Sequence, residues 1–250
     1  MSWSLKLGSY RGIEVSLHLT FLLLLGFLAV NAWAATRSLE AALTGVFFFL
    51  LLFACVLAHE FGHALTAARY GIRTRDIVLY PIGGVARLER MPENPIQELV
   101  VAVAGPAVNV VIALALFVWL QISGALVPVD SLGWTHGPLV ERLMVVNIFL
   151  VLFNLIPAFP MDGGRVLRSL LAMRLEYTRA TQIAAHVGQA LALVFGLVGL
   201  IWNPFLLFIA FFVWIGAAQE NAMVQMKGAL GGIPLQRVMQ TDFETLEADD

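Results

Sequence analysis

Six apolar segments, several near the ~20 residues a helix needs to cross a hydrocarbon core, constrain this chain more than any other feature. They run from Leu17 to Ala35, Ala42 to Ala67, Leu99 to Ile122, Leu139 to Leu155, Thr181 to Trp202 and Pro204 to Ala218, the last being short for a full span. Composition agrees: 60% of the 250 residues are hydrophobic and 13% charged, where a soluble domain carries about 25% charge. The expected architecture is an all-α polytopic membrane protein of six transmembrane helices with a small membrane-associated β-hairpin or sheet between the second and third. Asn203 followed by Pro204 reads as a cap and first-turn proline, so the fifth and sixth segments form a helical hairpin rather than one helix. Lys6 and Arg11 precede a run ending in Ala32-Trp33-Ala34, a signal-peptidase-like site, but the apolar stretch is long for a signal peptide and reads as a retained span.

Basic residues between the segments set the expected orientation. Thirteen of the fifteen Lys and Arg fall on one side, leaving Arg37 and Arg142 on the other, which puts both termini in the cytoplasm of a multi-pass cell-membrane protein. A net charge of −2 offers no basic surface for nucleic acid. The single cysteine, Cys55, rules out an internal disulfide and a cysteine metal cage. Glu141 and Arg142 read as a solvated end to the fourth segment.

Two connections stand out. Between Ile77 and Leu88, two strand-like runs flank Pro81 and Gly83-Gly84, too apolar for an ordinary loop; a hairpin dipping into the membrane against protein satisfies that pattern. The stretch from Asn154 to Gly164 ends the fourth segment with Pro157, Pro160 and an aspartate, Asp162, at the end of an apolar run.

The second segment carries His59-Glu60-Phe61-Gly62-His63. Positions i and i+4 of a helix share a face, so both imidazoles can reach one Zn²⁺, while Glu60, about 100° round the helix, can take the proton of a metal-bound water. Five histidines and eleven glutamates in 250 residues produce this spacing by chance in only roughly 0.4% of such chains. Ionisable groups are also costly in lipid and mark function there. A catalytic zinc takes three protein ligands and keeps one position open, so a third must come from elsewhere. The candidates are His18, His136, His186 and the acids at membrane depth. Asp162 is preferred, because its prolines prevent a helix and its glycines let the backbone turn back toward the site.

The His59 to His63 motif, together with Asn154-x-x-Pro157 and Asp162-Gly163, resembles the paired signatures of the site-2 protease family of intramembrane metalloproteases. Gly12 to His18, the Pro81 to Ala86 hairpin and Gly105-Pro106-Ala107-Val108-Asn109 extend the resemblance to members with C-terminal regulatory domains. The resemblance implies zinc, one per chain, on His59, His63 and Asp162, with Glu60 as base and Asn154 as a contact to the substrate backbone or oxyanion. It also implies cleavage of single-span membrane-anchored regulators such as anti-sigma factors. Ile233 to Met239 resembles the lead-in to a CBS domain, a module that often binds adenine nucleotides. Residues 1–222 therefore read as the protease domain and 223–250 as a linker and the start of a truncated regulatory region, with nucleotide binding confined to a full-length form.

The expected function is a zinc endopeptidase of the bilayer that cleaves transmembrane segments by Glu-assisted attack of a metal-bound water. A helical substrate must first be extended, and the hairpin can do this by strand addition, which makes Val78, Leu79, Tyr80, Gly83, Gly84, Val85 and Ala86 candidate substrate contacts. Asn154 and Pro157 of the broken segment are further candidates. Asn109 reads equally as a site-lining amide or a helix-to-helix hydrogen bond. Broken segments and intramembrane acids also mark transporters, but the few other buried charges leave no ion path.

Overall fold

A computed structural model describes residues 3–92, 94–125 and 137–230. His136, Trp134 and the Ile233 to Met239 stretch lie outside these residues. The chain opens with a hairpin, β1 (Ser4–Tyr10) and β2 (Ile13–His18), turning at Arg11 and Gly12, both with positive φ. Two helices follow: α1 (Leu19–Thr36), capped by His18, and α2 (Leu39–Arg69), capped by Ser38, whose side chain accepts from the Ala41 N–H. Strands β3 (Thr74–Tyr80) and β4 (Gly83–Leu88) form the hairpin expected between the second and third segments.

The hairpin is half of a larger sheet. The strand order is β1-β2-β3-β4, with β2 and β3 parallel and the two hairpins antiparallel, so β4 is an edge strand. Ile13, Ile77 and Leu79 of the sheet bury against Phe21 of α1 and Phe53 and Ala64 of α2. The site helix and the sheet are thereby locked to each other.

Helix α3 (Pro95–Ile122) starts with Pro95 in its first turn and the Asn94 side chain accepting from the Ile96 N–H at 2.9 Å. Then come α4 (Leu139–Asn154), α5 (Asp162–Ala172), α6 (Tyr177–Ile201) and α7 (Phe205–Leu230). The α6–α7 turn is the expected hairpin: Asn203 Oδ1 accepts from the Phe205 N–H at 3.0 Å.

Among the described residues five helices, α1, α2, α3, α6 and α7, are long and apolar enough to cross a membrane. The fourth segment makes only the 16-residue α4, about 24 Å at 1.5 Å per residue, because the Asn154 to Pro160 stretch stops it. One expectation is corrected: Glu141 is buried rather than solvated, and neither carboxylate oxygen has a hydrogen-bond partner among the described residues. The reason is that α4 begins inside the bundle, where Arg142 lies 4.1 Å from the ring centre of Phe48 on α2. Helix α7 continues through position 223 to Leu230.

The segment between α4 and α5 is packed rather than loose. Ala158 and Met161 bury against Ala192 of α6 and Val213 of α7, and Phe159 against Ala184, Ala185 and Ala217 of the same two helices. A side chain at Gly164 would fall 2.6 Å from the Phe159 backbone nitrogen, so only glycine lets this loop close over the start of α5. Arg168 of α5 is fully buried; it donates to Glu98 of α3 and Glu220 of α7 and lies over the rings of Phe159 and Tyr177. That loop and that arginine fix where α5 begins, and α5 begins with Asp162.

Candidate metal centre

His59 and His63 lie one turn apart on the buried face of α2, and Asp162 comes to them from the first turn of α5. The three ligand atoms form a triangle: His59 Nε2 to Asp162 Oδ2, His63 Nε2 to Asp162 Oδ2, and His59 Nε2 to His63 Nε2 are each 3.1 Å. Three donors bound at zinc distances in a tetrahedron stand about 3.3 Å apart, close to this spacing.

The hydrogen bonds behind the rings explain why the triangle suits a cation. Asn147 Nδ2 donates to the Leu143 carbonyl at 2.8 Å, which orients its amide so that Oδ1 accepts from Asn109 Nδ2 at 2.8 Å. Asn109 Oδ1 is then left to accept from His59 Nδ1 at 2.6 Å. His63 Nδ1 donates to the Val101 carbonyl at 2.7 Å. In the neutral rings both protons therefore sit on Nδ1, and both Nε2 atoms present lone pairs to each other and to a carboxylate. Three acceptors facing one another without a proton call for a positive ion, and two imidazoles with one carboxylate suit zinc.

Sequence elements far from the motif complete this arrangement. Pro106 has no N–H to give the Ala102 carbonyl, in the turn of α3 from which Val101 reaches His63. One residue earlier, a Cβ on Gly105 would collide with His63 Nε2 and lie 2.7 Å from His59 Nε2, so α3 can approach the rings only at a glycine.

A cavity of about 480 Å³ opens beside the three ligands, lined among others by Glu60, Gly83, Gly84, Val85, Ala86, Asn154 and Arg165. The Ala86 N–H donates to Glu60 Oε2 at 3.2 Å. Arg165, one turn along α5, lies 4.0 Å from Asp162. Asn154, on the cavity wall, donates to the Leu150 carbonyl at 3.0 Å.

Of the expected site residues, His59, Glu60, His63 and Asp162 come together, and Gly83, Gly84, Val85, Ala86 and Asn154 line the cavity beside them. The others stand elsewhere. Val78 and Leu79 are buried, Tyr80 packs on His18, and Pro157 is exposed on the loop. Asn109 is wholly buried behind His59 and does not line the cavity; its role is to fix a ring, and through Asn147 it also joins α3 to α4. His18 caps α1 and His186 is exposed on α6, so neither joins the ligand set. Arg165 and Asn147 were missed. Arg165, three residues after Asp162, was open to discovery by helical spacing, whereas nothing local marks Asn147.

Comparison with known proteins agrees with this geometry. The chain matches the model of peptidase family M50 over residues 47–129 and 122–195. It is 36% identical over 240 residues to zinc metalloprotease MJ0392 of Methanocaldococcus jannaschii, covering 96% of this chain and 67% of that one. It is 28% identical over 167 residues to stage IV sporulation protein FB of Bacillus subtilis, covering 66% of this chain and 53% of that one. The solved structure of the site-2 protease from Methanocaldococcus jannaschii superposes with a TM-score of 0.62 at 38% identity, covering 88% of this chain and 95% of that one. With its paired histidines and aspartate inside a bundle of membrane-length helices, the chain belongs to peptidase family M50, the site-2 protease family of zinc metalloproteases.

Proposed function

We propose that this membrane metalloprotease cleaves the transmembrane segments of single-span, membrane-anchored regulatory proteins, anti-sigma factors among them, using one zinc per chain. The observation that carries the reading is the triangle of ligand atoms opening onto a cavity that also holds Glu60 and the edge strand β4. His59, His63 and Asp162 hold the metal. Zinc bound there supplies an acidified water and a Lewis acid for the scissile carbonyl. Glu60 accepts a proton from the attacking water as the new C–O bond forms, then returns a proton to the amine nitrogen as the C–N bond breaks. Asn154, on the cavity wall, contacts the substrate backbone or oxyanion.

The peptide bonds of a helix are enclosed by their own hydrogen bonds, so the substrate must be extended before it is cut. Edge strand β4 supports such pairing, since Gly83 to Ala86 lie along the cavity and no described strand pairs with their outer side, where Glu60 accepts from the Ala86 N–H. Exposed leucine, phenylalanine and tryptophan side chains along α1, α3, α6 and α7 fit contact with lipid. The clustering of basic residues supports cytoplasmic termini. In a longer form, the region after position 222 leads into a regulatory domain that binds an adenine nucleotide.

The test is incubation of the protein, purified into vesicles, with a panel of single-span membrane proteins. Cleavage within a transmembrane segment, lost on zinc chelation and restored by added zinc, is the expected result. Cleavage that persists in the metal-free protein overturns the proposal.

A further inference from the structure

The helix that carries Glu60 does not by itself fix where its carboxylate sits. A glutamate has three side-chain torsions, and a base displaced by about 1 Å can lose roughly a hundredfold in rate. Two features of β4 act on this side chain. The Ala86 N–H points away from β3 and donates to Glu60 Oε2 at 3.2 Å. Two residues along, on the same side of the strand, Gly84 lies so close that an added Cβ would stand 2.7 Å from Glu60 Cγ and 3.2 Å from Val56 Cγ1. Ala86 faces Ile77 and Gly84 faces Leu79 across the β3–β4 ladder, with Val85 opposite Val78 between them. Backbone directions alternate along an antiparallel ladder, so Gly84 and Ala86 share the outer edge while the Val85 N–H turns inward to β3.

We propose that β4 holds the catalytic base: Gly84, by its missing side chain, and Ala86, by its backbone N–H, are positioning residues that set the Glu60 carboxylate over the metal site. This rests on the reading of Glu60 as the base. It also gives the strand edge a second role, because a substrate extended along β4 meets Glu60 at Ala86, so one strand sets both the register of the substrate and the place of the base.

The experiment is steady-state cleavage of a transmembrane substrate found in the panel above, with zinc content and thermal unfolding measured on every sample. The variants are Gly84→Ala, Ala86→Pro and a backbone ester at position 86, made by replacing alanine with lactic acid. The ester keeps the methyl group and replaces the N–H by an oxygen that cannot donate, so it carries the test if the proline variant does not fold. Expected is a fall in kcat of about ten- to a hundredfold with KM little changed and zinc retained. Parental kcat, alone or with a raised KM, overturns the proposal and leaves β4 as a docking edge only. Glu60→Gln runs alongside: if that variant cleaves like the parent, the assignment of the base has failed, a result separate from any outcome at Gly84 and Ala86.

Discussion

His59 and His63 owe their readiness for a metal to groups that never touch it. The Asn147–Asn109 pair and the Val101 carbonyl fix both Nδ1 protons, so the ring faces turned to Asp162 are ligands in waiting. Replacing an outer partner of this kind commonly costs about 10–100-fold in metal affinity. Asn109→Ala is therefore expected to lose zinc at lower chelator concentrations than the parent by that factor, read as retained zinc across a chelator series; equal retention would show that His59 needs no such support. Gly105→Ala is expected to fail more completely, because its methyl group occupies space that the two imidazoles use, and its zinc content measured by mass spectrometry should fall to background. The ligands themselves were legible in the sequence, since i and i+4 spacing is local and Asp162 stands out at the end of an apolar run. The groups behind them were not: Asn147 lies 38 residues from Asn109 and reaches it only because α4 packs on α3.

Among the elements, the long apolar helices and the β3–β4 hairpin were visible because their patterns are continuous. The β1–β2 hairpin was not, although Ser4 to Leu7 alternates and Arg11-Gly12 makes the turn. Its partner β3 is separated from it by two membrane-length helices, and parallel pairing leaves no local mark. Helix α5 was hidden for another reason: it is short and amphipathic, and its buried polar face reads as a loop. Arg168 is the center of that face, joining α5 to α3 and α7. Removing one member of a buried ion pair strands the other, at a cost of about 3–5 kcal/mol. Arg168→Ala is expected to lower the thermal unfolding midpoint and loosen Asp162, whereas Arg168→Met combined with Glu98→Leu should recover much of the stability. A double variant no more stable than Arg168→Ala would argue that the arginine is not chiefly an anchor.

For the whole molecule, the bundle puts the sheet and the metal site toward one end of the long helices and the α1–α2 turn toward the other. With the sheet end cytoplasmic, a cysteine at Glu40, exposed beside that turn, should react with an impermeant thiol reagent outside intact cells, and one at Arg75, exposed on β3, should not; Cys55 is replaced by alanine in both. The reverse pattern would invert the orientation and leave the zinc chemistry intact. The distribution of arginines is what carries this proposed orientation, while the identity of the cleaved bond is written in the partner rather than in this chain. The chemistry at the center of the account is tested most directly by measuring bound zinc and proteolysis together in the parent and in Glu60→Gln. The expected result is equal zinc in both with cleavage only in the parent, because the three ligands remain while the proton acceptor is gone; cleavage by Glu60→Gln at the parental rate would contradict it.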